Sequence, residues 1–391
     1  MSYSRIGSHR AMVFDANRNE LYARAIRKFV TPDTVVLDLG AGLGVHGLLA
    51  AAAGAKRVYL VEPEPVVQLA RDIARANGLA DRIVILEDCI EDVQLPEQVD
   101  LIISVFTGNL LYSEDLLPSL FHARDRYLKP GGRLVPDFAE LMLAPVSAPE
   151  LHAKHIGCWS ASHLGLDFSA GRRFAANEIL WLSREELNAE RLAEGSVIST
   201  VDLMTATQAD CKGEAPFHVE KSGLCHGLLG WTRIRLDDQW LSTDPASPEV
   251  HWSPALLPLD PPLPLEAGEG IAISLQRPAH GDWTWTVEAA SGSRRHSSFL
   301  ARVDNPRQLR KMAPNYRADL SQRGVNTQRV LTMMQEGKSN QEIAQALASK
   351  DPTSFHSVDE ALQQVQGLAL RYARKEQPLQ ANNNEVNDLR P

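Results

Sequence analysis

The stretch Val36-Leu-Asp-Leu-Gly-Ala-Gly-Leu-Gly44 places three glycines directly after a short apolar run. The apolar run from Thr34 to Leu39 predicts a buried strand, and the Ala- and Leu-rich segment after Gly44 predicts a helix. Glycine lets the backbone turn with positive φ, or approach a ligand without interference from a Cβ atom. A glycine-rich turn between a strand and a helix is typical of nucleotide-cofactor sites at the carboxyl edge of a parallel sheet.

Strand and helix patterns continue to alternate after this turn. Apolar runs at 57–62, 82–86 and 99–104 predict strands, and the segments 65–77 and 115–127 have helical periodicity. This alternation predicts an α/β fold with a doubly wound, Rossmann-like parallel sheet.

The pattern changes twice in the rest of the chain, so we predict four segments. Residues 1–145 form the parallel-sheet cofactor domain. Residues 146–303, rich in Pro and Gly and in short strand patterns, form an antiparallel β-barrel with an excursion at about 155–175. Residues 304–375 are helical, and residues 376–391 form a mobile tail.

Composition excludes several classes of protein. The 391 residues carry 40 Lys and Arg against 49 Asp and Glu, for a net charge of -9. This balance argues against binding nucleic acid or anionic lipid over the whole surface. The four cysteines lie far apart, which predicts free thiols and neither a disulfide framework nor a metal site. No run approaches 18 apolar residues and the first residues lack a secretory signal, so we expect a cytoplasmic protein without membrane spans.

Acidic residues follow the next two strands at positions that suit a nucleotide. Glu62 ends the strand after the glycine turn, about 20 residues on, where a carboxylate accepts hydrogen bonds from ribose hydroxyls. Glu91 follows the third strand, where it can meet an adenine amino group. A nicotinamide enzyme is the competing interpretation, but Gly40-Ala-Gly-Leu-Gly44 lacks the G-x-G-x-x-G spacing.

The segment 36–44, followed by Ala53-Gly-Ala-Lys-Arg-Val58, resembles class I S-adenosylmethionine (SAM) methyltransferases. The chain is similar, more narrowly, to the protein arginine methyltransferase family over about residues 3–303. Four further segments carry this resemblance, namely His9-x-x-Met12-x-x-Asp15-x-x-Arg18, Asp100 to Glu114, Trp159 to Ser169 and Ser247 to Trp252.

The resemblance implies a SAM cofactor, with S-adenosylhomocysteine as its product, and a homodimer formed through the arm at 155–175. It implies that Arg18 binds the carboxylate of SAM, an interaction that suits a planar guanidinium. It also implies that Glu62 binds the ribose, and that Glu91 and the backbone of Ile90 bind the adenine. The residues that it implies around the rest of the cofactor are His9, Met12, Asp38, Gly40, Gly42 and Gly44.

The substrate loop departs from the family pattern. The family holds a guanidinium between two carboxylates; the second matches Glu114, but the first falls on Val105, which cannot accept a hydrogen bond. A buried guanidinium that lacks a partner costs several kcal/mol. The resemblance also implies that His251 accepts a proton, that Asp15 orients its ring, and that the acceptor lies among Val105, Phe106, Gly108 and Trp252.

One carboxylate beside an apolar wall suits a neutral imidazole, which offers a single N–H donor. We therefore predict methyl transfer to a side-chain nitrogen of a peptide or protein, with histidine imidazole oriented by Glu114. Two alternatives stay open. The acceptor is arginine and another carboxylate, Asp115 or Glu249, replaces Val105; or the chain is a non-catalytic scaffold that binds SAM.

The C-terminal region needs an explanation of its own. The segment from Val330 to Val365 resembles small winged-helix domains of the PqqD type, which bind leader segments of ribosomally made peptides by strand addition. This resemblance predicts a peptide-binding winged helix at 304–375. The helix that would read DNA begins with Asp359 and Glu360, which argues against nucleic acid. A helical domain that only packs on the core or the dimer stays open.

Overall fold

The computed structural model describes residues 5–350 and 354–373. The chain forms two compact units, Met1–Val303 and Asp304–Pro391. No helix in the described part of the chain is both long enough and apolar enough to cross a bilayer.

Two helices precede the first sheet. Helix α1 (Ile6–Val13) and helix α2 (Ala16–Phe29) are separated by Asp15, which caps α2 by accepting a hydrogen bond from the backbone N–H of Arg18 at 2.9 Å. A carboxylate at this position satisfies a helix N–H group that has no partner within the helix. The cap therefore fixes where α2 begins and holds Arg18 in its first turn.

A five-stranded parallel sheet forms the first half of the larger unit, which confirms the prediction of a Rossmann-like fold. The strands lie in the order β3-β2-β1-β4-β5, and Asp38 on the central strand pairs with Leu60 on one side and Ile103 on the other. The elements are β1 (Val35–Leu39), α3 (Val45–Ala52), β2 (Arg57–Val61), α4 (Val67–Ala76), β3 (Ile83–Leu86), β4 (Val99–Ser104), α5 (Leu117–Tyr127) and β5 (Leu128–Val135).

Antiparallel strands form the second half of this unit, as predicted, and they are divided between two sheets. The elements are β6 (Phe138–Ser147), α6 (Pro149–His155), α7 (Arg172–Ala175), β7 (Leu180–Trp181), β8 (Glu190–Arg191), β9 (Ser196–Asp202), β10 (Cys211–His218), β11 (Gly223–Leu236), β12 (Gln239–Ser242), β13 (Ala255–Leu265), β14 (Gly270–Arg277), β15 (Thr284–Ala289) and β16 (Gly292–Ser297). One sheet has the order β7-β13-β11-β6-β8, with β12 on β11 and β9 on β6, and the other has the order β10-β14-β15-β16.

The segment between α6 and β7 is the excursion that the sequence suggests as an arm. It contains short helical turns at 157–160 and 169–171, and a bridge joins His163 to Leu166. Arg172 ties its end to the second half of the unit through two hydrogen bonds to Asp260, at 2.6 and 2.9 Å. Leu164 is 87% exposed and Leu166 is 60% exposed, so the segment presents apolar surface to solvent.

The smaller unit is helical in its described residues. Helices α8 (Pro306–Met312), α9 (Gln322–Gln335), α10 (Asn340–Lys350) and α11 (Val358–Tyr372) follow one another, and α9 to α11 pack around a small apolar core. Serine side chains cap α10 and α11, because Ser339 Oγ accepts from the N–H of Glu342 and Ser357 Oγ accepts from the N–H of Glu360.

The winged-helix prediction for 304–375 finds no support here. A wing is a β-hairpin, and residues 304–350 and 354–373 contain no β-strand. The apolar residues of this region are instead satisfied by helix-to-helix packing, in which Val330, Ile343 and Val365 are fully buried. Strand addition by a leader peptide has no strand edge among these residues. The predicted tail, 376–391, lies outside the described residues.

Candidate active site

The turn after β1 has the backbone geometry that its glycines predict. Gly40, Gly42 and Gly44 have φ values of 71°, 52° and 77°, in the left-handed region that favours glycine. A Cβ atom on Gly40 would lie 2.3 Å from Cε1 of Phe106, so the aromatic ring lies directly on this turn. The turn therefore brings the first strand of the sheet against the start of the substrate loop.

Glu62 lies against the same turn. Its Oε2 accepts a hydrogen bond from the backbone N–H of Gly42 at 3.0 Å, and its Oε1 accepts one from the N–H of Glu64 at 3.1 Å. Burial raises the pKa of Glu62, and these two N–H donors partly oppose that effect. The ring of His9 borders the turn on another side, 3.1 Å from the place of a Cβ atom on Gly42. The structure thus brings His9, Glu62 and the glycine turn together.

Arg18 is buried, and no carboxylate in residues 5–350 or 354–373 forms an ion pair with it. It is 3% exposed, and burial lowers the pKa of its guanidinium. Its Nη2 donates to the carbonyl oxygen of Met12 at 2.6 Å, and both Nε and Nη2 donate to Oδ1 of Asn19, at 3.2 and 3.1 Å. Its Nη1 donates to no acceptor among residues 5–350 and 354–373. The guanidinium therefore offers its Nη1 end to a ligand, and its positive charge interacts with the carboxylates of Asp15 and Asp38 only at a distance.

One carboxylate oxygen of Asp38 forms a hydrogen bond that stabilises the fold. Its Oδ2 accepts a hydrogen bond from the N–H of Gly47, in the first turn of α3, at 2.7 Å. Burial raises the pKa of Asp38 to about 7; the bond from Gly47 lowers it, and the nearby charge of Glu62 raises it further. Asp38 therefore fixes α3 relative to β1 directly below the glycine turn.

The two residues predicted for adenine differ in their surroundings. Ile90 is 3% exposed, and Glu91 is exposed. The hydrogen bond of Glu91 joins its Oε1 to the hydroxyl of Ser119, at the start of α5, at 2.6 Å. The structure does not place Glu91 in contact with Arg18, Glu62 or the glycine turn.

Asp88, Cys89 and Asp92, around these two residues, carry ligand atoms that lie within 4.8 Å of one another. Two of the three are exposed, and exposed acidic groups often lie together without binding a metal.

The substrate loop, residues 105–116, carries unusual backbone. Leu110, Leu111 and Asp115 have φ values of 47°, 58° and 56°, a region that costs energy for residues with a side chain. A Cβ atom on Gly108 would lie 2.5 Å from Nε1 of Trp252, so this ring lies directly on the loop. Strained backbone persists where surrounding packing fixes it, and here that packing comes from the antiparallel sheets.

Glu114 is tied to a second loop by Asn109. The amide Nδ2 of Asn109 donates to Oε1 of Glu114 at 3.1 Å, and its Oδ1 accepts from the N–H of Ser253 at 3.3 Å. Glu114 is exposed at the protein surface, yet the protein around its carboxylate raises its pKa by desolvation, and the Asn109 amide partly opposes this. One carboxylate oxygen is thus occupied, and the other is left for an acceptor.

The two carboxylates considered as replacements for Val105 have other surroundings. Asp115 forms a bidentate pair with Arg277, with both N···O distances 2.7 Å, and also accepts from the N–H of His280 at 2.9 Å. Its pKa lies below its usual value, chiefly because of the hydrogen bonds from Arg277. Asp115 is therefore committed to the fold. Glu249 is exposed, and its carbonyl oxygen accepts from the Asn17 amide at 2.6 Å.

His251 and Asp15 form the pair that the sequence resemblance implies. Asp15 Oδ2 accepts from the ring Nδ1 of His251 at 2.9 Å and from its backbone N–H at 2.8 Å. Burial lowers the pKa of His251, and the bond to Asp15 raises it only in part. His251 is therefore neutral at pH 7, with its proton on Nδ1 and a lone pair on Nε2.

Sequence reasoning missed several residues of this region: Asn19, His46, Thr107 and Asn109. His46 Nε2 lies 3.2 Å from Oδ1 of Asn19, and the Thr107 hydroxyl is buried with no hydrogen-bond partner among the described residues. A polar residue inside the Ala- and Leu-rich segment of α3 was a usable signal for His46. Nothing local marks Asn109, because its second partner, Ser253, belongs to a loop far away in the sequence.

Comparison with known proteins identifies the family. A model of a methyltransferase domain matches residues 36–132, and a model of the arginine methyltransferase oligomerization subdomain matches residues 137–285. Protein arginine N-methyltransferase 6 of Xenopus laevis is 33% identical over 285 residues, which span 69% of this chain and 83% of that protein. The chain belongs to the protein arginine methyltransferase family.

Further members of the arginine methyltransferase family agree with this assignment. Protein arginine N-methyltransferase 1.1 of Arabidopsis thaliana is 33% identical over 279 residues, or 69% of this chain and 71% of that protein. The solved structure of the Trypanosoma brucei PRMT1 enzyme–prozyme heterotetrameric complex with AdoHcy superposes with a TM-score of 0.68 at 26% identity, covering 76% of this chain and 99% of that one. The chain is accordingly a SAM-dependent methyltransferase.

The residues present fit SAM, the cofactor of arginine methyltransferases. A buried guanidinium without an anion is costly, and the SAM carboxylate is an anion that suits the free Nη1 of Arg18. The glycine turn admits a ligand close to its backbone, and the carboxylate of Glu62, an acceptor group of the kind that ribose hydroxyls require, lies against that turn.

Proposed function

We propose that this enzyme methylates a side-chain nitrogen of a protein, and that the acceptor is the guanidinium of arginine, bound through Glu114. Family membership supports the acceptor. The observation that carries the role of Glu114 is the Asn109 amide, which joins this carboxylate to the loop of His251 and Trp252. One side chain thus connects the group proposed to bind an acceptor to the loop that carries the proposed proton acceptor.

In this proposal the cofactor supplies a methyl group on a positively charged sulfur, and the protein supplies position and proton transfer. Arg18 and Glu62 hold the cofactor. Glu114 orients the acceptor nitrogen through its free oxygen, and the low exposure of Trp252, 8%, keeps water away from one side. Neutral His251 takes the proton that the nitrogen loses, because Asp15 stabilises the imidazolium that forms.

A second acceptor, histidine imidazole, is favoured by one specific observation. Val105 offers no carboxylate, and Asp115, the nearest replacement in sequence, is committed to Arg277. A guanidinium has five N–H donors, whereas a neutral imidazole has one, which the free oxygen of Glu114 satisfies.

Substitution of Val105 by Glu separates the two acceptors. Methyl transfer from labelled SAM is measured with peptides that differ only in carrying Arg or His, for the natural chain and for Val105→Glu. If arginine is the acceptor, the added carboxylate raises kcat/KM for the Arg peptide by about tenfold or more, the value of one charged hydrogen bond. If histidine is the acceptor, the substitution lowers turnover of the His peptide, because a second anion faces an imidazole that lacks a second donor.

The matched control for this experiment is Val105→Gln, which has the same length without the charge and should give no comparable gain. If neither the natural chain nor Val105→Glu methylates the Arg peptide, the arginine proposal is wrong. Unchanged turnover in Glu114→Gln, with SAM binding intact, removes Glu114 from the mechanism.

We also propose that the enzyme acts as a homodimer, joined through the segment at 155–175. The match to an oligomerization subdomain supports an oligomer. The exposed apolar side chains of Trp159, Leu164, Leu166 and Phe168 support this segment as the contact.

A further inference from the structure

Among the described residues, the guanidinium of Arg18 has one side-chain acceptor, the amide oxygen of Asn19. This oxygen receives Nε of Arg18 at 3.2 Å and Nη2 at 3.1 Å. The remaining hydrogen bond of Nη2 goes to the carbonyl oxygen of Met12 at 2.6 Å. Three of the five donors of the guanidinium are thereby used, all on its Nε–Nη2 edge. Within the described part of the chain, the Nη1 end therefore remains for a ligand.

Asn19 is itself fixed in one orientation. Its Nδ2 donates to the carbonyl oxygens of Met12 at 3.1 Å and Val13 at 2.8 Å, where α1 ends. Because Arg18 can only donate and these carbonyls can only accept, the amide cannot be reversed without loss of every one of these bonds. The amide oxygen therefore faces Arg18.

His46 completes the arrangement from the opposite helix. Its Nε2 lies 3.2 Å from the same oxygen of Asn19, and its ring stacks on Tyr22 with centroids 4.3 Å apart. The Tyr22 hydroxyl donates to the carbonyl oxygen of Ser104 at 2.9 Å, at the end of β4. Burial lowers the pKa of His46 to about 3, so the ring is a neutral donor and adds no second positive charge beside Arg18.

We propose that Asn19 and His46 are positioning residues that turn Arg18 so that its Nη1 end meets the carboxylate of SAM, and thus set the affinity for the amino-acid half of the cofactor. This inference rests on the proposed role of Arg18 in binding that carboxylate. A neutral amide is suited to the task, because it orients the guanidinium and leaves its charge for the ligand. A carboxylate at position 19 would accept from Arg18 in the same way, but it would lose the bonds to Met12 and Val13 and neutralise the guanidinium.

Comparison of two ligands measures how much the amino-acid half of the cofactor contributes to binding. S-adenosylhomocysteine carries the amino-acid group, whereas 5′-methylthioadenosine has the same adenosine and thioether without it. Calorimetry gives the Kd of each ligand for the natural chain, for Arg18→Ala, Asn19→Leu, Asn19→Asp and His46→Leu, and for the double variant Asn19→Leu, His46→Leu. Asn17→Leu is the matched control, since Asn17 is an exposed residue of α2 whose hydrogen bond goes to Glu249.

Asn19→Leu should weaken S-adenosylhomocysteine about tenfold or more, in line with the loss of charged hydrogen bonds, and leave methylthioadenosine within about threefold. Asn19→Asp should also weaken the first ligand more than the second, since it keeps the acceptor oxygen that faces Arg18, adds an opposing charge and loses the two bonds to Met12 and Val13. His46→Leu should act in the same direction, and combined with Asn19→Leu it should add little, because both act through one amide.

Three results distinguish the failures. If Arg18→Ala loses no preference for S-adenosylhomocysteine over methylthioadenosine, the proposed role of Arg18 is wrong. If Arg18→Ala loses that preference and Asn19→Leu keeps it, the present inference is wrong. Equal weakening of both ligands by Asn19→Leu indicates a general structural role and also overturns it. If Asn19→Leu does not fold, Asn19→Asp decides, and an unchanged affinity there overturns the inference.

Discussion

Asp15 Oδ2 accepts two hydrogen bonds from His251, one from the ring Nδ1 at 2.9 Å and one from the backbone N–H at 2.8 Å. The other oxygen of the same carboxylate caps α2 and accepts from the N–H of Arg18 at 2.9 Å. One buried side chain therefore links the helix that carries Arg18 to the loop that carries His251, although Asp15 and His251 are 236 residues apart in the sequence. The cofactor site and the proposed base are coupled through it.

Asp15→Asn should lower turnover by about a hundredfold, within the range typical of general acid–base residues. An amide can accept on only one side, so its NH2 group must oppose either the Arg18 N–H or the two donors of His251. The acidic limb of kcat against pH should move to lower pH, because His251 loses the charge that raises its pKa. Asn17→Ala, which removes a different contact between α2 and the same loop, should leave the profile unchanged. An unshifted limb in Asp15→Asn contradicts this role.

The stability of the chain should depend on pH through His46. Burial lowers its pKa from 6.5 to about 3, with Arg18 and His251 acting in the same direction and Asp15 against it. Below pH 6.5 the unfolded chain binds a proton that the folded chain does not, so the free energy of unfolding falls as pH falls from 6.5 towards 3. At pH 5 this effect of His46 lowers the free energy of unfolding by about 2 kcal/mol.

Urea unfolding at pH 7.5 and pH 5 tests this dependence. The free energy of unfolding should differ between the two pH values by about 2 kcal/mol less in His46→Leu than in the natural chain. The exposed His163→Leu serves as control. Parallel behaviour of the natural chain and His46→Leu would show that His46 does not titrate in this way.

Thr107→Val should stabilise the enzyme by about 1 kcal/mol, because it removes a buried hydroxyl without a partner and keeps the shape. Thr107 is 1% exposed, and its Oγ1 has no hydrogen-bond partner among the described residues. Thr232→Val is the matched control: Thr232 is 2% exposed, but its hydroxyl donates to the carbonyl oxygen of Gly108 at 3.4 Å, so this change should destabilise. Thermal unfolding gives both values, and a loss of stability in Thr107→Val contradicts the prediction.

Asp115→Asn should destabilise the substrate loop and lower turnover. Arg277, 5% exposed, would lose its bidentate partner. We expect a cost of about 2–3 kcal/mol, below the ~3–5 of a fully buried pair, since Asp115 remains partly exposed. Asp137→Asn breaks the more exposed pair with Arg235 and should cost less than about 1 kcal/mol. Equal costs for the two variants would count against a special role for Asp115.

The double variant Leu164→Glu, Leu166→Glu should be monomeric at micromolar concentration, because charges replace the most exposed apolar side chains of the proposed contact. Sedimentation velocity measures the outcome. Leu370→Glu, on α11, is the control, since Leu370 is 92% exposed and lies outside this segment. A dimer that persists in the double variant shows that another surface joins the subunits.

Local pattern was sufficient for the parallel sheet and for the glycine turn. Strands and helices there follow from the periodicity of burial, and Gly40 and Gly42 have the positive φ that such a turn requires. The pairing of Asp15 with His251 also matches the resemblance in the sequence. Periodicity could not decide the fate of Glu91, which bonds Ser119, or of Asp115, which bonds Arg277. Each partner lies on another element of the fold.

The sequence by itself determined the order of the sheets, the cofactor turn, and the loss of a carboxylate at Val105, because each depends on residues close together in the chain. Only the tertiary structure decided that helices without a β-hairpin form the described C-terminal region, and that His46 and Asn19 support Arg18. A hydrogen bond forms between groups about 3 Å apart, wherever they stand in the chain. Its existence is therefore fixed by how the helices pack, and the order of the residues alone does not contain it.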